Sequence, residues 1–126
     1  MEFREVKLQE LWQGTRPGEP IPEDVVRLKS WEGVVGAHSV GHCTGDSVTG
    51  EIVSLSVAAA YRRGGIGRQL LSLVVNELRV AGANRIWVEA PSDPMVPAYR
   101  FYRALCWRPT GERTSDGLDI LELHSY

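Results

Sequence analysis

At 126 residues, 43% hydrophobic and 24% charged, the chain is long enough to bury a core and short for two, so one domain over residues 1–126 is expected. A net charge of -2 excludes the strongly basic face of a nucleic-acid binder, and no apolar run approaches the roughly 18 residues of a membrane span. The polar start (Glu2, Arg4, Glu5, Lys7) is unlike a signal peptide and two cysteines make no disulfide framework, so a reducing cytoplasm is the expected compartment.

Taken in order, Glu2–Lys7 alternates Phe3 and Val6 with charges and predicts a short edge strand. Leu8–Gln13 has room for a turn or two of helix, closed by Gly14. Residues 15–23 carry Pro17, Gly18, Pro20 and Pro22 and read as loop. Asp24–Trp31 reads as a strand, Glu32-Gly33 as its turn, Val34–Cys43 as a second strand and residues 44–47 as a second turn. Val48–Val57 completes an antiparallel meander.

The next stretch, residues 58–68, holds two adjacent arginines and three glycines between that strand and a helical period, Ile66, Leu70, Val74, Leu78. Glycine lets a backbone turn through positive φ and approach a ligand closely. A helix starting there directs unpaired N–H groups and the positive end of its dipole outward, which makes an anion site. The helix runs from Gly65 to Val80 and stops at Ala81-Gly82. Arg85–Ala90 is the following strand, parallel to the third by the βαβ rule. Ala98–Leu105 is a short helix with Tyr99, Phe101 and Tyr102; Thr110–Arg113 and Leu118–His124 form a closing hairpin. The expected class is α+β: one mixed, mostly antiparallel sheet of six or seven strands with a central parallel pair, flanked by helices.

Two motifs together resemble a known family. Arg62-x-x-Gly65-x-Gly67 after a strand ending at Val57 looks like the acyl-coenzyme-A pyrophosphate signature of the GNAT N-acetyltransferase superfamily. Ala98-x-x-Phe101-Tyr102-x-x-Leu105, followed by Cys106-Trp107, resembles that family's later aromatic helix. The resemblance covers roughly residues 25–123 and implies transfer of an acetyl group, not an amino-acyl group, from acetyl-CoA to a primary amine on a small molecule or protein.

The resemblance also assigns residues. Arg62, Arg63, Gly64, Gly65, Ile66, Gly67 and Arg68 would hold the pyrophosphate, and Leu55, Ser56 and Val57 would flank the pantetheine arm, between the two parallel strands. Acyl transfer needs the amine deprotonated and the leaving thiolate protonated. Tyr102 matches the family's tyrosine on the short helix and is the candidate proton donor, with Tyr99 as substitute; the alternative for both is a core aromatic. Glu51 matches the general base of the histone-acetylating branch, with Glu89 as substitute; a lone strand glutamate otherwise lines a solvated face.

Three positions depart from the family pattern. Met95 replaces an asparagine before the short helix, and Cys106 replaces a glycine after it, straining the turn by about 1 kcal/mol if φ stays positive. Residues 8–24 replace two helices that wall the acceptor pocket, which predicts a shortened N-terminal helical region and a homodimer completing the site. A non-catalytic acyl-CoA sensor or partner subunit is the alternative function. A dinucleotide fold is disfavoured because Leu70 stands at the third glycine position. His38 and His42, about 13 Å apart along a strand, are too distant to share a metal, and no metal site is expected.

Overall fold

The computed structural model describes residues 1–93 and 95–123 and divides the chain into two compact units, Met1–Asn84 and Arg85–Tyr126. In unit one the elements are β1 (Glu2–Val6), α1 (Leu8–Thr15), α2 (Glu23–Val26), β2 (Leu28–Val35), β3 (His38–Asp46), β4 (Ile52–Val57) and α3 (Ile66–Val80). The four strands form one antiparallel sheet in the order β1-β2-β3-β4.

The helical period after the glycine loop becomes α3, which buries Ile66, Leu70, Leu71, Val74, Val75 and Leu78 against the sheet. Leu70, Val74 and Leu78 are wholly buried, each worth about 1.5–3 kcal/mol over an exposed side chain. Beneath this stripe the sheet carries glycines. A Cβ at Gly33 would lie 3.5 Å from Ile66, one at Gly41 3.2 Å from Leu70, and one at Gly45 2.7 Å from Val74 and 2.9 Å from Leu78. The helix ends in a Schellman turn: Gly82, at φ 96°, donates to the Arg79 carbonyl and Ala83 to that of Leu78.

Those glycines explain two corrections to the predicted turns. Glu32-Gly33 lies inside β2, and Thr44–Asp46 lies inside β3. Gly33 and Gly45 serve close approach of a helix rather than chain reversal. The actual turns fall at Gly36 (φ 61°) and at residues 47–50, with Gly50 at φ 79°. Residues 24–26, expected as strand, are helical in α2. Pro22 precedes it, its carbonyl accepts from the Val25 and Val26 amides, and Glu23 and Asp24 complement the dipole. The shortened N-terminal region therefore holds an eight-residue helix and a one-turn helix, neither with a buried residue.

Unit two contains β5 (Trp87–Pro91), α4 (Pro97–Ala104), β6 (Trp107–Arg113) and β7 (Leu118–Leu123). Its antiparallel sheet has the order β5-β7-β6, with α4 packed against β5 and β6. Pro97 opens α4 at its first position, Leu105 caps its end, and the chain turns at the next residue, Cys106, whose φ is 69°. The strained turn therefore persists without its glycine. Trp107, 1% exposed, anchors the core of this unit. His124, expected at the end of the last strand, lies outside the described residues. The α+β class and the seven strands agree with expectation; among the described residues every ladder is antiparallel, and none joins β4 to β5.

Candidate functional site

In unit one the site is built on β4 and the turn that leaves it. β4 is the last strand of its ladder, and its second edge has no ladder partner among the described residues. Leu55, Ser56 and Val57 sit on this strand, with Ser56 exposed and its neighbours half-buried. A 3-10 turn at Ala59–Tyr61 then leads to Arg62, whose Nε donates to the Val57 carbonyl at 3.1 Å and ties the loop back to its strand.

Beyond that tie the backbone coils sharply. Arg63 stands at φ 68° and Gly65 at φ 81°, and Gly65 is the N-cap of α3 with no side-chain cap. Among the described residues, the amides of residues 63–68 have no protein acceptor. The space a Gly65 side chain would occupy is empty to 4 Å, while the nearest atom at Gly64 is the Tyr61 carbonyl oxygen at 3.7 Å. Arg62, Arg63 and Arg68 are exposed, and none has a carboxylate partner among the described residues. Successive free amides at a helix start, full positive charge and open space above a glycine suit a dense anion such as a pyrophosphate. Coenzyme A carries such a group, so the residues fit it.

Glu51 lies at the opposite end of β4, about 20 Å from Val57 by extended rise. Its carbonyl accepts from the Asp46 amide at 2.8 Å, so it pairs with the end of β3. A bulge decides which way it faces. Thr44 pairs with Ser54 and Gly45 with Ile52, which leaves Val53 as an extra residue, half exposed at 52%. The odd residue reverses the alternation. Ile52 is buried toward α3 beside Gly45, and Glu51 shares the opposite face with Ser54 and Ser56.

Asp46 holds this corner together. Its carboxylate accepts from the Val48 and Thr49 amides and from Arg27 Nε at 2.7 Å. Burial pushes the carboxyl up, but the two amides and the Arg27 charge outweigh it and hold it below its usual range. Cys43 is buried under α3, and burial pushes its thiol up to about 12, so it is protonated and inert.

In unit two Tyr102 is the one buried residue of α4. Its ring meets Phe101 edge-on at 5.2 Å and Trp107 at 5.0 Å. Tyr99 is half-buried on the same helix, and Glu89 is exposed on β5 opposite Ile120. Met95 is exposed, and its amide donates to Asp93 Oδ1 at 2.9 Å, so an aspartate closes the turn that the expected asparagine would. Among the described residues no group of three His, Cys, Asp or Glu side chains is placed to hold a metal ion, and no helix is long and apolar enough to cross a membrane.

One feature of the site escaped the sequence. Arg4, Glu32, His42 and Ser56 stand opposite one another across all four strands of unit one. Their alternation with buried neighbours was the available signal, but turns assigned to residues 32–33 and 44–47 hid the register.

The sequence model of the acetyltransferase (GNAT) family matches residues 8–106. Among solved structures, the chain resembles PaiA N-acetyltransferase from Thermoplasma acidophilum in complex with coenzyme A, at 16% identity, TM-score 0.73 and 98% coverage of each chain. It also resembles an aminoglycoside 6'-N-acetyltransferase complexed with coenzyme A (18% identity, TM-score 0.65, covering 97% of this chain and 94% of that one). A third is the ribosomal-protein-S18-alanine N-acetyltransferase of Escherichia coli (19% identity, TM-score 0.60, covering 96% and 89%). No curated protein matches the chain by sequence.

Proposed function

The chain belongs to the GNAT acetyltransferase family, and from that premise we propose that it transfers an acetyl group from acetyl-CoA to a primary amine. The observation that carries this reading is the uncapped start of α3, where, among the described residues, the amides of residues 63–68 have no acceptor and three arginines have no carboxylate partner. Coenzyme A complexes of two structurally similar proteins support the same donor.

Acetyl-CoA supplies an activated thioester; the chain supplies position and proton management. Arg63–Arg68 bind the pyrophosphate, and the outer edge of β4 at Leu55–Val57 offers main-chain groups to the pantetheine arm. Glu51, turned away from α3 by the Val53 bulge, takes the proton from the amine. Tyr102 gives a proton to the departing sulfur. Because no residue of α1 or α2 is fully buried, a second copy related by a two-fold axis walls the acceptor side, and the whole of residues 1–126 acts as one domain. Sedimentation at micromolar concentration tests the assembly: a strict monomer removes it.

The burial of the Tyr102 ring against Phe101 and Trp107 favours a second reading, a non-catalytic acyl-CoA-binding module. Thiol release from acetyl-CoA over a panel of primary amines, beside a coenzyme A binding measurement, separates the two. Amine-dependent release establishes the enzyme; binding without release establishes the module.

A further inference from the structure

The two faces of the unit-one sheet differ in kind. Toward α3 they present glycines and Cys43 beneath an apolar helix. Away from α3, β2, β3 and β4 present Glu32, His42 and Ser56 in one row, and the next row holds Ser30, Thr44 and Ser54. The row from Glu32 to Ser56 is open to water or to a polar ligand, whereas Ser30 in the next row is buried. His42 and Ser56 are exposed, and Glu32 keeps 19% of its side chain open.

The hydrogen-bonding capacity of this row is only partly used. Arg4 Nε donates to Glu32 Oε1 at 2.6 Å. Among the described residues, Glu32 Oε2, the His42 imidazole and the Ser54 and Ser56 hydroxyls have no protein partner. Glu51 shares the face, by virtue of the bulge.

We propose that this polar face is the acceptor's specificity surface, selecting an amine that carries a second basic group, which Glu32 binds while His42 and Ser54 hydrogen-bond the chain between. The proposal rests on the acetyl-transfer reading above. The sheet sets the spacing. Glu51 lies across from Asp46, which pairs with Leu28, four residues before Glu32 and two strands from β4. That offset is about 13 Å along the strands and about 10 Å across them, so the two nitrogens of a suitable acceptor lie on the order of 10–15 Å apart once side-chain reach is allowed. An extended aliphatic triamine meets that span. A monoamine leaves Glu32 with only its Arg4 contact.

Spermidine and an amino alcohol matched to it in length are the probes, each assayed by thiol release from acetyl-CoA. The wild type is expected to favour spermidine by about 10-fold or more in kcat/KM. E32Q should raise KM for spermidine about 10-fold with kcat held, leave the amino alcohol unchanged, and so erase the preference. R4Q, which frees Glu32 from its internal cation, should lower the spermidine KM instead. A merely structural role for Glu32 would move both substrates and the melting temperature together. Equal kcat/KM for the two amines in the wild type, or a preference that survives E32Q, overturns the proposal and leaves acetyl transfer standing. Bound coenzyme A with no release from either amine overturns the proposal, and no release across the whole amine panel overturns acetyl transfer with it.

Discussion

Arg62 donates from Nε to the carbonyl oxygen of Val57 at 3.1 Å, so the loop that opens α3 is fastened to the end of β4 by its own first arginine. The fastening fixes where the free amides of residues 63–68 point. Coenzyme A at millimolar concentration is expected to raise the melting temperature by mass action. Gly65→Asp should abolish that shift, because its carboxylate would fill the open space above φ 81° and repel a phosphate. The same substitution forces a non-glycine residue into the left-handed region at a cost of about 1 kcal/mol. Gly65→Ala separates the contributions: it carries the backbone cost and adds no charge. Differential scanning fluorimetry reads both variants, and no ligand shift in the parent protein would remove the donor assignment.

Tyr102→Phe removes one oxygen and leaves the ring contacts with Phe101 and Trp107 in place. Turnover is expected to fall about 10- to 1,000-fold while coenzyme A affinity stays nearly unchanged. If the ring is only a core aromatic, turnover persists and a small change in melting temperature is the sole effect.

Glu51→Gln tests the proton acceptor. An alkylammonium has a pKa near 10.4, so almost none of the acceptor is free amine at neutral pH without a base. The variant should bind coenzyme A, lose rate at pH 7 and move its pH–rate profile upward, as bulk solution takes over the deprotonation. A wild-type rate with an unmoved profile assigns the role to Glu89 or water instead.

Asp46 predicts how the fold responds to acid. Its folded pKa is lowered, by the Thr49 and Val48 amides and Arg27 against the opposing effect of burial. A lowered carboxylate stabilises fully above its unfolded pKa of about 3.9, and that contribution is lost as pH falls through the lower folded value. Asp46→Ala leaves two amides and Arg27 without their acceptor and should cost about 2–4 kcal/mol at pH 7. The difference between parent and variant in urea unfolding should shrink as pH falls below the unfolded value of about 3.9 and through the lower folded one. A difference that stays constant with pH would dissociate Asp46 from acid sensitivity.

Local periodicity made much of this legible. Ile66, Leu70, Val74 and Leu78 announced α3, the Arg62–Gly67 spacing announced the uncapped loop, and the replaced glycine at Cys106 announced a strained turn that the structure places at φ 69°. What stayed hidden depended on contacts distant in sequence. Gly33 and Gly45 look like turn residues until Ile66, Val74 and Leu78 arrive above them. The misread turns concealed the row from Arg4 to Ser56, because register follows from where a strand begins. The one-turn α2 was masked by Val25 and Val26, whose β-branching suits a strand as well.

The glycines under α3 make the sheet a toothed rack and the helix its pawl. Ile66, Leu70 and Val74 engage Gly33, Gly41 and Gly45 in turn, and a slide of even one residue, about 1.5 Å, would drive side chains into backbone. The amides at the front of α3 are therefore indexed against β2 and β3 by teeth that extend three turns behind them. Calibration of the anion site is thus distributed along the helix. A methyl group added at Gly45, roughly 12–18 Å of helix from the loop, would be felt there as a displaced zero point, long before the fold itself gave way.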